Sequence, residues 1–265
     1  MKKLIAITRP VSETIDQCEL TNLERVPINL ERAIFQHQVY EETLISLGVE
    51  VLALPKEPDL PDAVFVEDAA VVLDECAIIT RPGADSRLPE TGSVSRALAP
   101  YRTLYSILAP ARLDGGDVLV AGKRIWVGLA TRSNQSALDQ MQSFLDPFGY
   151  VVRGVPVQGC LHLKSAVTRV AEDTLLINPA WADPVNFPGM KFIAVDPDEQ
   201  YGANALMVGK TILCQPAYPK TILRLEAIGI HPLLVDQSEL AKAEGALTCC
   251  SLLFENLDGY STKPS

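Results

Sequence analysis

A β-hairpin pattern runs through Val118-Leu119-Val120-Ala121-Gly122-Lys123-Arg124-Ile125-Trp126-Val127. Apolar residues fill both arms, and the segment around Gly122 is typical of a tight turn between two strands. The pattern recurs more loosely along the chain, so hairpins are predicted at 69–80, 118–127, 166–177 and 205–214. The apolar run after Cys249 is a candidate first strand of a fifth unit.

A polar residue stands at the entry to each unit. These residues are Asp68, Asp117, Lys164, Asn204 and Cys249, spaced by 49, 47, 40 and 45 positions. Helix-like segments are predicted at 24–47, 135–148 and 220–228, so a propeller made of strands alone does not fit. A period in this range is typical of repeat architectures. The prediction is an α/β protein of five αβ units around an axis, with the strand entries gathered at the centre.

Composition limits the partners and the location. The 265 residues are 48% hydrophobic and 21% charged with a net charge of −10, which disfavours nucleic acid and anionic membranes as partners. No apolar run is long enough to span a bilayer, so we predict a cytoplasmic protein whose six cysteines are thiols. The cysteine and histidine spacings do not suggest zinc, and no cofactor is expected. The predicted organisation is one catalytic domain, 1–256, with a C-terminal tail, 257–265; homodimerisation is considered.

Cys249 is the candidate nucleophile, and a thiol needs a proton-transfer partner at neutral pH. The chain has three histidines. His37 lies in a charged helical stretch and His231 follows a turn, so both are predicted at the surface. His162 alone stands near a unit entry, beside an apolar segment predicted to be a strand. It is therefore the candidate base.

Acidic residues cluster at two other unit entries. In Leu113-Asp114-Gly115-Gly116-Asp117, the glycines would let the backbone approach a ligand while Asp114 orients an imidazole. Glu67-Asp68 is flanked by apolar residues, and burying two carboxylates is costly without a cation. A guanidinium would supply that cation with bidentate geometry. Two loop arginines, Arg87 and Arg132, could hold the carboxylate of an amino acid.

Five stretches carry a more specific signal when taken together. They are Phe65-Val66-Glu67-Asp68, Thr80-Arg81-Pro82-Gly83-Ala84, Leu113-Asp114-Gly115-Gly116-Asp117-Val118-Leu119, Leu161-His162-Leu163-Lys164-Ser165 and Leu247-Thr248-Cys249-Cys250-Ser251. In this order they resemble the dimethylarginine dimethylaminohydrolase family. The resemblance implies the five-bladed αβ propeller (pentein) fold with pseudo-fivefold symmetry. It also implies a small-molecule substrate, a methylated arginine, and no cofactor or metal.

The same resemblance implies roles for individual residues. Cys249 is the nucleophile, His162 the general acid and base, and Asp114 the carboxylate that orients His162. The substrate-binding residues are Glu67 and Asp68 around the guanidinium, Phe65 beside them, Asp62 and the carbonyls of Leu20 and Ala243 at the α-amine, and Arg87 and Arg132 at the α-carboxylate. The implied reaction passes through an S-alkylthiouronium on Cys249 and releases citrulline.

Three other functions remain open from the sequence. An arginine deiminase would act on unmethylated arginine, but such relatives commonly have an acid where this chain has Lys164. A non-catalytic pentein, like the ribosome anti-association factor that shares the fold, would lack the Cys249–His162–Asp114 set. A cysteine peptidase would leave Glu67, Asp68 and the two arginines without a function.

Overall fold

The computed structural model describes residues 3–256, and the predicted tail, 257–265, lies outside the described residues. Within that range the framework is five sheets of three strands each. The strands are β1 (Lys3–Thr8), β2 (Glu50–Ala53), β3 (Ala70–Val72), β4 (Cys76–Ile79), β5 (Thr103–Ser106), β6 (Val118–Ala121), β7 (Arg124–Leu129), β8 (Val151–Pro156), β9 (Val167–Ala171), β10 (Thr174–Ile177), β11 (Lys191–Ala194), β12 (Leu206–Val208), β13 (Thr211–Cys214), β14 (Leu233–Leu234) and β15 (Leu252–Asn256).

Each sheet combines an antiparallel pair with one parallel strand. β3–β4, β6–β7, β9–β10 and β12–β13 are the four predicted hairpins, and β5, β8, β11 and β14 run parallel to the second strand of each. In the fifth sheet β1 lies between β15, antiparallel, and β2, parallel. The antiparallel partner of β1 therefore comes from the far end of the described chain, with Ile5 opposite Phe254.

The helices are α1 (Leu30–Ser46), α2 (Glu90–Leu98), α3 (Gln135–Leu145), α4 (Leu163–Ala166), α5 (Pro219–Glu226) and α6 (Ser238–Ala241). The prediction that the first helix begins near residue 24 is wrong. Asn29 caps the helix instead, because its side chain accepts a hydrogen bond from the Arg32 N–H, and Pro27 precedes it. Asn134 caps α3 in the same way, as predicted.

Short helical turns precede several strands that the sequence predicted to begin without one. They are the 3-10 turns Val66–Ala69, Gly115–Asp117 and Thr248–Cys250, together with α4. The turn Val66–Ala69 contacts both other 3-10 turns, and α4 contacts Gly115–Asp117. A Cβ on Gly115 would lie 1.9 Å from the Glu67 carbonyl oxygen, so two of these turns approach so closely that only glycine fits. The entries from distant parts of the chain therefore meet.

The core is divided among the sheets and the helices that cover them. Ala33, Tyr40 and Leu44 of α1 pack with Val64 and Leu247 in one buried cluster. A second cluster joins β6 and β7 to α3. Burying these apolar side chains is the main favourable contribution to folding. In the described part of the chain, no helix has the length and apolar character needed to cross a membrane.

Candidate active site

Cys249 lies in the 3-10 turn Thr248–Cys250 and faces a small cavity. Its N–H donates to the Ala246 carbonyl at 3.1 Å, and the residue is only 9% exposed. Burial raises the pKa of the Cys249 thiol well above its usual value, and the nearby Glu67 and Asp68 carboxylates raise it further. The thiol is therefore protonated at neutral pH in the unliganded protein.

His162 stands directly before α4 and is held between two carboxylates. Its Nε2 lies 2.9 Å from Oδ2 of Asp114, and its Nδ1 lies 3.9 Å from Oδ1 of Asp68. Burial alone would lower the pKa of His162, but Asp68 and the hydrogen bond to Asp114 raise it to about 9. The imidazole is consequently a charged, proton-donating group at neutral pH.

Neighbouring backbone keeps the imidazole in this orientation. A Cβ on Gly116 would lie 2.6 Å from His162 Nδ1 and 2.8 Å from Asp68 Oδ1. The glycine thus serves close packing against the imidazole, whereas the sequence suggested a close approach to a ligand. Asp117 accepts the Leu163 N–H at 2.9 Å and the Ser133 hydroxyl at 2.6 Å. It anchors the start of α4, a function that its position at a unit entry could have indicated.

Arg87 is buried in an ion-pair network. Its Nη1 donates to Asp68 at 2.7 Å, while Nε and Nη2 bind the two oxygens of Glu90 at 3.0 and 2.9 Å. Nη2 also faces the carbonyl oxygens of Asp62 and Phe65 at 3.4 and 3.3 Å. The structure therefore gives Arg87 protein partners, and its predicted contact with a substrate carboxylate stays a prediction. The sequence analysis did not predict a role for Glu90, although its spacing from Arg87 matches one turn of helix.

Arg132 differs from Arg87 in having a donor without a partner. The residue is 7% exposed, and its Nη2 donates to the Thr21 hydroxyl at 3.1 Å. Among the described residues its buried Nη1 finds no hydrogen-bond acceptor. An unpaired buried guanidinium N–H is costly unless a ligand completes it, and a carboxylate matches its charge and geometry.

Glu67 lies behind the nucleophile instead of lining the cavity. Its two oxygens accept hydrogen bonds from Lys164 Nζ at 2.5 Å and from the Thr248 hydroxyl at 2.9 Å. It faces a second cavity that also borders Lys164 and Thr168. Burial raises the pKa of Glu67, which the Lys164 ammonium opposes. Its predicted contact with a guanidinium stays a prediction.

The cavity at Cys249 collects most of the predicted residues. It is lined by Glu19, Asp62, Phe65, Asp68, Arg87, Arg132, Leu161, His162, Ala243, Glu244, Gly245 and Cys249. Three predicted residues lie outside this lining: Asp114 stands behind His162, Glu67 faces the other cavity, and Leu20 packs against the core. Glu19 also lines the cavity, and its N–H donates to Asp62 at 3.0 Å, while the predicted contact of the Leu20 carbonyl with a substrate α-amine stays a prediction.

The surface prediction for His37 is wrong. The residue is 2% exposed, with Nε2 3.5 Å from Glu41 on the next turn of α1. Its face of the helix packs inward, which the mixed charges of the stretch concealed. His231 is exposed, as predicted.

Three of the site residues have the geometry of a metal site. Ligand atoms of Asp68, Asp114 and His162 lie within 4.8 Å of one another. The same atoms already form hydrogen bonds and ion pairs, and the Arg87 guanidinium on Asp68 would repel a metal ion. The arrangement suits a protonated imidazole better than a metal ion.

Known proteins provide an independent comparison. The chain is 38% identical over 254 residues to an N(G),N(G)-dimethylarginine dimethylaminohydrolase from Streptomyces coelicolor, covering 95% of this chain and 97% of that protein. It is 30% identical over 255 residues to the enzyme of the same name from Pseudomonas aeruginosa, covering 96% and 99%. The chain belongs to the dimethylarginine dimethylaminohydrolase family. A scan against protein-family models finds no matching model.

Solved dimethylarginine dimethylaminohydrolase structures agree with this assignment. The Pseudomonas aeruginosa enzyme, as a cysteine-to-serine variant complexed with citrulline, superposes with a TM-score of 0.89 at 29% identity, covering 96% of this chain and all of that one. A histidine-to-glycine variant of a dimethylarginine dimethylaminohydrolase, an adduct with S-methyl-L-thiocitrulline, gives 0.90 with the same identity and coverage. The N-terminal domain of the arginine dihydrolase ArgZ shares the fold, with a TM-score of 0.84 at 20% identity.

Proposed function

We propose that this protein hydrolyses Nω-methylated arginines, asymmetric dimethylarginine and monomethylarginine, to citrulline and the corresponding amine. The observation that carries the proposal is the cavity in which the Cys249 thiol and the His162 imidazole, paired with Asp114, share one lining with Arg132. A nucleophile, a charged acid and an unpaired guanidinium donor fit a zwitterionic substrate. The membership in the family supports the same reaction.

In the first half of the reaction the Cys249 sulfur attacks the substrate and the amine leaves. Substrate brings a guanidinium cation beside the Cys249 thiol, which lowers the pKa of the thiol and releases its proton to solvent. The thiolate attacks the guanidinium carbon, and the C–N bond to the methylated nitrogen breaks. The protonated His162 supplies the proton that the departing amine needs. An S-alkylthiouronium on Cys249 and a neutral His162 remain.

The second half returns the protein to its starting state. Neutral His162 takes a proton from water as the oxygen attacks the thiouronium carbon. The C–S bond then breaks while the new hydroxyl group loses its proton, giving citrulline and the Cys249 thiolate, and that proton restores the thiol as product leaves. Asp114 keeps the imidazole oriented through both steps, and the negative charges of Asp68 and Asp114 stabilise its cationic form.

The pairing of Glu67 favours methylated substrate over arginine. Lys164 and Thr248 already occupy both oxygens of Glu67, and Arg87 binds Asp68. These bonds leave fewer acceptor sites for the N–H donors of a substrate, and an asymmetrically dimethylated guanidinium has two N–H donors fewer than arginine. An unsatisfied donor in a buried site is costly, so the methylated group fits better.

We infer a five-bladed αβ propeller in which the five sheets surround a pseudo-fivefold axis, as one catalytic domain over 1–256. Strand contacts at three of the five junctions between neighbouring sheets support this arrangement, since β15 contacts β3, β6 contacts β9 and β9 contacts β12. The Asn204 side chain donates to the Thr248 hydroxyl at 3.0 Å and links the fourth unit to the fifth.

A cytoplasmic location and a homodimer complete the proposal. All six cysteines are free thiols, as expected of a reducing compartment. Light scattering coupled to size-exclusion chromatography would test the dimer directly.

A substrate panel tests the function. Purified protein is incubated with arginine, monomethylarginine and asymmetric dimethylarginine, and citrulline, ammonia, methylamine and dimethylamine are quantified. We expect kcat/KM to be highest for a methylated substrate, with one citrulline formed per amine. A higher kcat/KM for ammonia release from arginine would favour a deiminase instead, and no turnover of any member would favour a non-catalytic pentein.

A further inference from the structure

The cavity at Cys249 is too small for any amino acid. Its volume is about 10 Å³, room for about one water molecule. Its lining comes in part from two segments, the loop that contains Glu19 and the stretch 243–245. A ligand can reach the thiol only after part of this cover moves, so the contacts that hold the cover in place control access.

Glu244 joins the two covering segments. Its Oε1 accepts the N–H groups of Asn22 and Leu23 at 2.5 and 2.6 Å, and the Thr21 N–H lies 3.3 and 3.2 Å from Oε1 and Oε2. Three successive backbone N–H groups that converge on one anion form a nest, in which charge-assisted hydrogen bonds are strong. Here the protein supplies the anion itself, from a residue 221 positions or more along the chain.

The backbone of Glu244 is adapted to this contact. Its φ of +56° is in the left-handed region, which a non-glycine residue rarely adopts. The neighbouring Gly245 packs against the Phe65 ring, where a Cβ would lie 2.2 Å from a ring carbon. Only glycine fits at position 245, directly beside the residue that binds the 21–23 loop.

The same loop contacts Arg132. The Thr21 hydroxyl accepts from Arg132 Nη2 at 3.1 Å, and the N–H of the same residue is one of the three that Glu244 binds. Movement of the loop therefore breaks the Glu244 contacts and the Arg132 contact together. The position of the cover and the donor proposed for the substrate carboxylate are thereby linked.

We infer that Glu244 is a positioning residue that binds the N–H groups of 21–23 and so latches the loop containing Glu19 over the Cys249 cavity. Its three N–H contacts set the equilibrium between the closed site and an open site that admits ligand. The kinetic consequence rests on the proposed function, because a closed latch then retains bound substrate. The consequence for thiol access does not depend on any reaction.

Two variants and one matched control test the latch. Glu244→Ala removes the carboxylate, and Glu244→Gly also removes it while suiting the positive φ, so backbone strain is separated from the latch. Glu199→Ala is the control, since Glu199 accepts the N–H groups of Lys220 and Thr221 at 2.9 and 2.7 Å and does not line the cavity. Each protein is treated with a bulky maleimide, and the modified cysteine is assigned by mass spectrometry.

Both Glu244 variants should accelerate modification of Cys249 by at least about tenfold, because several charge-assisted hydrogen bonds close the wild-type site. Modification of Cys76 and Cys214, buried in other sheets, should stay at the wild-type rate, as should Cys249 in Glu199→Ala. An unchanged rate at Cys249 would overturn the latch. A uniform increase at all three cysteines would also overturn it, because it would mean that Glu244 only stabilises the fold.

Steady-state kinetics supply a second readout. For Glu244→Gly on a methylated arginine we expect KM to rise about tenfold and kcat to change less than about threefold, since the lost contacts do not touch the reacting atoms. A fall in kcat with KM unchanged would argue against a latch. If the wild-type protein released no amine at all, the proposed function would fail while the maleimide experiment still decided the latch.

Discussion

Asp114 and His162 form a fully buried pair, with Oδ2 of the carboxylate 2.9 Å from Nε2 of the imidazole. They are 48 residues apart and come from different αβ units. Asp114 is also held by the Gly83 N–H, which donates to its Oδ1 at 2.7 Å. The imidazole thus has one nitrogen occupied and the other, Nδ1, turned toward Asp68.

Stability should depend on the charge of His162. Its pKa is raised from 6.5 to about 9, so between these values the folded protein holds a proton that the unfolded chain has lost. The stabilisation is complete below pH 6.5 and disappears as pH rises through about 9. From pH 6 to 10 the unfolding free energy should fall about 3 kcal/mol further in wild type than in His162→Gln, measured by urea unfolding. Parallel curves for the two proteins would contradict this assignment of charge.

Asp114→Asn should lower the pKa of His162 and slow turnover. Asparagine can still accept the Gly83 N–H, but it has no negative charge to stabilise the imidazolium. We expect kcat to fall about 10²- to 10³-fold, and an NMR titration should show the pKa of His162 shifted down. Asp114→Glu is the matched variant, since it keeps the charge and should keep the raised pKa. An unshifted pKa in Asp114→Asn would mean that Asp68 alone holds the imidazolium.

Substitutions of the adjacent residues Cys249 and Cys250 should have different effects on activity. Cys249→Ser should reduce kcat at least about 10⁴-fold, because a serine hydroxyl in this site has no base strong enough to ionise it. Cys250 is buried beside Gln237 and the Ala246 carbonyl, at 3.5 and 3.6 Å. Cys250→Ser should retain kcat within about fivefold and cost about 1 kcal/mol of stability, seen by thermal unfolding. Equal loss of activity in both variants would show that the nucleophile is misassigned.

Arg132 should act on the substrate carboxylate. Arg132→Met keeps much of the side-chain volume but removes the unpaired donor, so KM for a methylated arginine should rise at least about tenfold. The substitution should not change KM for a methylated agmatine, because this compound lacks the α-carboxylate. A methylated agmatine should already bind poorly to the wild-type protein. Arg153→Met, at an exposed position of β8, is the control. An equal loss with both substrates would make Arg132 a structural residue.

Local signals in the sequence were sufficient for the repeated units. Turn residues and alternating apolar arms indicated four hairpins, because strand pairing across a tight turn depends on neighbouring residues. They did not reveal the helical turns that replace simple strand entries, since a turn of three or four residues has almost no periodicity. The predicted start of α1 is wrong because apolar periodicity does not locate the cap, which is Asn29.

Contacts between residues that are far apart in the sequence could not be predicted from local patterns. Nothing local distinguishes Glu244 from other loop acids, yet its carboxylate binds Thr21, Asn22 and Leu23. The pairing of Glu67 with Lys164 cannot be predicted from local sequence either, because it depends on contact between two units. His37 illustrates the converse, as its burial follows from packing of α1 and not from its charged neighbours.

The sequence by itself determined the repeated αβ units and the chemical types available: a thiol at Cys249, an imidazole at His162 and acids at Asp68 and Asp114. Residue type and local pattern suffice for these, because both are properties of short stretches of chain. Only the tertiary structure decided which groups are paired and which are free. Arg87 is satisfied by Asp68 and Glu90, while Arg132 keeps a donor that no described residue accepts, and both outcomes depend on distances set by the packing of separate units.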